Sequence, residues 1–114
     1  MVTIYHNPRC SKSRQTLQLL EARGLKPEIV EYLNDPPSAA ELKAILKKLG
    51  IKPHDLLRQG EARYAALGLK ERALSDDALI ELMIENPILI ERPIVVSGSK
   101  AAIGRPPEKV LEIL

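Results

Sequence analysis

His6-Asn7-Pro8-Arg9-Cys10-Ser11-Lys12-Ser13-Arg14 places the only cysteine of a 114-residue chain between a strand and a helix. Val2-Thr3-Ile4-Tyr5 before it has β character, and Leu17 and Leu20 after it have helical spacing. Cys10 is therefore predicted at or beside the first turn of the helix. Backbone N–H groups there lack internal partners and carry partial positive charge. A thiol in that position is pushed toward thiolate, to about 3.5–7.5 from ~8.5, and the same amides make an anion site. Arg9, Lys12 and Arg14 bring further positive charge to the spot. A lone cysteine is most often a small buried hydrophobe. Polar, basic flanks with Pro8 upstream predict instead a reactive sulfur outside the core.

The rest of the chain sets bounds. Its length suits one domain, residues 1–114, with a core that needs no disulfide. Hydrophobic residues make up 45% and charged residues 28%, as in ordinary soluble proteins. Aromatics are only 3%, without Phe or Trp, so the core must be aliphatic and stacking platforms for single-stranded nucleic acid are missing. A net charge of +2, with acidic and basic residues interleaved, leaves no stripe for DNA or RNA. One cysteine excludes an internal disulfide and points to a reducing compartment. No apolar run approaches the ~20 residues of a membrane span, and no signal-peptide pattern opens the chain. A cytoplasmic protein that binds neither membrane nor nucleic acid is expected. No exposed heptad or large apolar patch argues against a monomer, and no cluster suggests a metal.

Along the chain, a helix over about Ser11–Arg23 is predicted to stop at Gly24. Pro27 opens a second strand, Glu28–Leu33, with half-buried alternation, so the first thirty-odd residues read as a right-handed βαβ unit (about 30 residues or more). Asn34-Asp35-Pro36-Pro37 breaks the chain, and Ser38-Ala39-Ala40-Glu41 is a capping box. Leu42, Ile45, Leu46 and Leu49 then form an amphipathic stripe closed by Gly50. Short helical pieces are expected over Pro53 to about Arg58, about Glu61–Leu67 and Ser75 to about Glu85, with no strand between Leu33 and Asn86. Ile94–Ser97 reads as a buried strand and Ala101–Gly104 as its antiparallel partner. Arg105-Pro106-Pro107-Glu108 begins a last helix with Val110, Leu111 and Leu114 inward. The order β-α-β, helices, β-β-α is the thioredoxin-like arrangement: a small mixed four-stranded sheet with a helical insertion between its second and third strands. In that fold a cis X–Pro bond precedes the third strand, and Arg92-Pro93 is the candidate.

These motifs resemble those of the glutaredoxin-linked arsenate reductases of the ArsC family. The family pattern His-Asn-Pro-x-Cys-x-x-Ser-Arg is met from His6 to Arg14. Tyr32-Leu33, Pro36-Pro37-Ser38 and Glu41-Leu42 look like the family's second-strand exit. Leu56-Leu57-Arg58, the run from Asn86 to Val96 containing Arg92, and Arg105-Pro106 look like its three arginine segments. The likeness extends from Ile4 to Leu114. It implies that Cys10 is a nucleophile toward arsenate, that Arg58, Arg92 and Arg105 hold the oxyanion, and that His6, Ser13 and Arg14 form a supporting shell. It also implies glutathione and glutaredoxin as reductants, with no bound cofactor and no metal. Guanidinium suits the task because it stays charged and pairs oxyanions through a bidentate fork. Ser13, standing where a dithiol enzyme has its second cysteine, means that the resolving thiol must come from outside.

Plainer readings stand beside these. Arg58 near a helix end could simply complement the dipole, and Arg92 and Arg105 could be loop arginines in surface ion pairs of little consequence. His6 could be a structural hydrogen-bonding residue. For the whole chain the rivals are an ArsC-like monothiol oxidoreductase with another substrate, and a regulatory binding protein similar to the Spx type.

Overall fold

The structure, a computed structural model, describes residues 2–114. The chain divides into two compact units: the first runs to Asp35 and resumes over Arg92–Leu114, and the second is Pro36–Glu91. The first unit has the predicted thioredoxin-like order. Strand β1 (Val2–Tyr5) leads to helix α1 (Ser11–Ala22), then to β2 (Glu28–Val30), and β3 (Ile94–Ser97) and β4 (Lys100–Ile103) follow after the second unit. The sheet order is β2-β1-β3-β4, with β1 parallel to β2 and both other pairs antiparallel.

This topology decides where chemistry can gather. Tyr5, the last residue of β1, pairs with Ile94, the first of β3, and Ile94 pairs with Ile103, the last of β4. The loop after Tyr5, the residues before Ile94 and those after Ile103 therefore share one end of the sheet. Arg92–Pro93 and Arg105–Pro106, both at that end, are cis. The sequence pointed to the first of these and not to the second.

Ile4, Leu20, Val95 and Val110 form a fully buried cluster of this unit, with Val2, Leu17 and Ile113 packed around it. Helix α1 ends as predicted, with Gly24 at φ 77° and its N–H donating to the Glu21 carbonyl. The last helix differs. Pro107–Ile113 is a 3₁₀ helix, so its inward row repeats every three residues: Pro107 and Val110 are buried and Ile113 is half-buried. Leu114, expected inside from α-helical spacing, is 41% exposed. Strand β2 is also shorter than predicted. The Glu31 carbonyl accepts from Asn34 and Asp35 N–H, so the chain turns there and buries Tyr32. Asn and Asp favour such turns.

In the second unit, helix α2 (Ala39–Leu49) carries the predicted capping box: Glu41 N–H donates to Ser38 Oγ at 3.1 Å and Ser38 N–H to Glu41 Oε1 at 3.0 Å. Its buried stripe of Leu42, Ile45 and Leu46 belongs to a helix that packs against α4 (Asp76–Glu85), with the short α3 (Ala62–Ala66) between them in sequence. The expected helix from Pro53 stops at Leu56 as a 3₁₀ turn, so Arg58 is not at a helix end. Leu57 instead makes an isolated bridge to Ile90, and Arg58 N–H donates to the Leu89 carbonyl at 2.8 Å. That single bridge, invisible as a strand in the sequence, fixes the backbone at Arg58. No helix among the described residues is long and apolar enough to cross a membrane.

Candidate active site

Cys10 is the N-cap of α1, with an extended backbone (φ −95°, ψ 123°). It is only 8% exposed, more buried than its polar flanks predicted. Burial disfavours the thiolate. The Ser13 N–H, the Arg92 charge, the Lys12 N–H and the Arg105 charge outweigh it, and the Cys10 thiol lies below the ordinary thiol range. The first turn of α1 thus supplies two backbone donors, and the other side of the sheet end supplies two guanidinium charges.

Arg105 contacts the sulfur through its side chain. Its Nε donates to the Arg92 carbonyl at 2.8 Å, and its Nη2 points at Cys10 Sγ at 3.9 Å. Arg92 follows the second unit and precedes β3, and Arg105 follows β4. The strand register brings them together at Cys10 from positions 13 residues apart.

The supporting residues shape the loop. Ser13 is fully buried; its Oγ hydrogen-bonds His6 Nδ1 at 2.7 Å and accepts from Asn7 N–H at 3.0 Å. His6 is buried, and that burial, aided by the Arg14 charge and opposed by Glu31, lowers its pKa below 6.5. Arg14 donates through Nη1 to the Pro8 carbonyl at 2.9 Å. His6 and Arg14 thus bond to the loop that carries Cys10, and the Ser13 N–H acts on the sulfur itself. The side chains of Arg9 and Lys12 are exposed, and what Lys12 gives the sulfur is its backbone N–H.

Arg58 lies in the second unit, half-buried, ion-paired with Glu61 at 3.0 Å and donating to the Ile88 carbonyl at 3.3 Å. A pocket of about 290 Å³ borders the loop at His6–Arg9 and the turn at Glu31–Asn34. Cys10 does not line it. No group of three or more His, Cys, Asp or Glu among the described residues could hold a metal.

The sequence pattern of the ArsC family matches residues 5–113. The chain belongs to the ArsC family. It is 56% identical over 114 residues to the uncharacterised protein YfgD of Escherichia coli, covering 99% of this chain and 96% of that one. It is 52% identical over 114 residues to the arsenate reductase of Haemophilus influenzae, covering 99% and 98%. Among solved structures, the arsenate reductase from Vibrio cholerae superposes with a TM-score of 0.95 at 53% identity, covering 99% of this chain and 97% of that one.

The structure brings Cys10, Arg92 and Arg105 together at one end of the sheet. The sequence pointed to first-turn amides such as that of Lys12, but it did not reveal that Gly104 packs tightly against Thr16 and Pro93. The only available signal for that packing was a glycine directly before Arg105-Pro106.

Proposed function

We propose that this protein is an arsenate reductase in which the Cys10 thiolate attacks arsenate. A sulfur–arsenic bond forms, and one arsenate oxygen leaves as hydroxide or water. Arg92, Arg105 and Arg58 hold the oxyanion and neutralise the charge it brings to an already anionic sulfur. Reduction of arsenic(V) to arsenic(III) takes two electrons, which two thiols supply by ending as a disulfide. Ser13 occupies the place where an internal second thiol would stand, so glutathione attacks the adduct and glutaredoxin resolves the mixed disulfide as arsenite is released. The observation that carries this reading is the Arg105 guanidinium 3.9 Å from a thiol held below its ordinary pKa. Such an arrangement favours a nucleophilic sulfur and an oxyanion at the same point.

NADPH consumption with arsenate, glutathione, glutaredoxin and glutathione reductase tests it, run beside Cys10→Ser. Turnover that requires both arsenate and Cys10 is expected. Turnover by Cys10→Ser at the wild-type rate would remove the nucleophile. No turnover by a folded protein with a titrating Cys10 would remove arsenate and leave a monothiol oxidoreductase acting on another substrate.

A further inference from the structure

Four of the six glycines, at 24, 50, 68 and 98, adopt positive φ where an added Cβ would meet nothing within 4 Å. Gly104 is the reverse. Its φ lies outside the left-handed range, yet a Cβ there would stand 2.5 Å from Thr16 Oγ1, 2.9 Å from Pro93 Cγ and 3.1 Å from Thr16 Cγ2. Glycine is required for space and not for conformation. Neither neighbour can yield cheaply. Thr16 is fully buried, and its Oγ1 donates to the Lys12 carbonyl at 2.8 Å. Pro93 is a closed ring, buried, and its carbonyl accepts from Gly104 N–H at 2.9 Å.

Each partner in this contact adjoins a part of the site. Thr16 lies on α1 one turn beyond the Lys12 and Ser13 amides, Pro93 follows Arg92, and Gly104 precedes Arg105. We infer that Gly104 is a positioning residue: its missing side chain lets the end of β4 close on Thr16 and Pro93, and that closure sets the Arg105 guanidinium against the Cys10 sulfur. Arg105 cannot absorb a displacement of its own backbone without loss, because its Nε is already committed to the Arg92 carbonyl at 2.8 Å. Pushing β4 away from α1 therefore lengthens the 3.9 Å approach of Nη2 to Sγ or breaks the anchor.

The test reads Cys10 directly, as the pH dependence of alkylation by iodoacetamide in the full chain. It needs no arsenate, so failure of the arsenate reading leaves it decisive; only a companion KM measurement rests on the function proposed above. Gly104→Ala is expected to raise the alkylation midpoint by a few tenths of a unit, a fraction of the about 1–3 units that an opposite charge at 4–6 Å supplies. In an Arg105→Ala background the same substitution should add nothing, because the positioned group is gone. KM for arsenate should rise in Gly104→Ala more than kcat falls. An unchanged midpoint in folded Gly104→Ala, or equal shifts with and without Arg105, would overturn the inference. Should Gly104→Ala fail to fold, Thr16→Ala/Gly104→Ala is compared with Thr16→Ala. The double variant lacks both Thr16 clashes and keeps the one with Pro93, so its midpoint should lie above that of Thr16→Ala; equal midpoints would overturn the inference.

Discussion

The Cys10 thiol pKa is lowered by four groups that act against its own burial, and two of them are backbone amides that only a proline substitution removes. The guanidinium contributions can be separated from the amides by mutation. Arg105→Lys keeps a positive charge but has one nitrogen in place of a fork, so it cannot hold the Arg92 carbonyl and face the sulfur together. It should raise the midpoint of Cys10 alkylation and weaken competitive inhibition by phosphate; an unchanged profile would show that charge alone suffices. Ser13 is the second decisive residue. Ser13→Ala would strip partners from His6 Nδ1 and Asn7 N–H together. Unpaired buried groups cost about 1–3 kcal/mol each, so the urea midpoint should fall clearly while the Ser13 N–H stays in place. A variant as stable as wild type would show that water replaces the hydroxyl.

Elements were legible in the sequence wherever a local signal named them. Ser38 and Glu41 announced α2, Gly24 and Gly50 closed their helices, and unbroken Ile94-Val95-Val96 marked β3. What stayed hidden depended on partners far along the chain. Leu57 meets Ile90 across more than 30 residues in a one-residue bridge, too short to leave a periodic trace. Alternation in Glu28–Leu33 suggested three residues of strand too many, because a turn at Glu31 overrides it. Next to the bridge, the Arg58 guanidinium is tied to Glu61 in the following turn and to the Ile88 carbonyl 30 residues on. If Arg58 binds the oxyanion, Glu61 competes for it. Such pairs are worth about 0.2–1 kcal/mol, so Glu61→Gln should tighten phosphate inhibition up to about fivefold by that measure. Weaker inhibition would mean that Glu61 holds Arg58 in its working orientation.

At the scale of the whole molecule, convergence at the sheet end could be argued from strand order alone, since the directions of β1, β3 and β4 bring residues 6–10, 92–93 and 104–105 to one edge. Distances and burial could not, and the shifted groups of the site couple it to stability. His6 has a lowered pKa in the folded chain, so between that value and 6.5 the unfolded chain binds more protons. Its contribution to stability is complete above 6.5 and is lost as pH falls through that window. Cys10 is an acid with a lowered pKa, so its contribution is complete above the unfolded value and is lost as pH falls through the folded one. Both groups therefore make stability rise with pH, the His6 window closing at 6.5 and the Cys10 window closing higher, at the unfolded thiol value. Urea midpoints followed by circular dichroism at a series of pH values should show both rises in the wild type. Cys10→Ser should flatten the alkaline one alone. His6→Asn, which leaves an amide near the place of Nδ1 for Ser13, should flatten the acidic one alone. If both rises survive both substitutions, the pH dependence belongs to other groups.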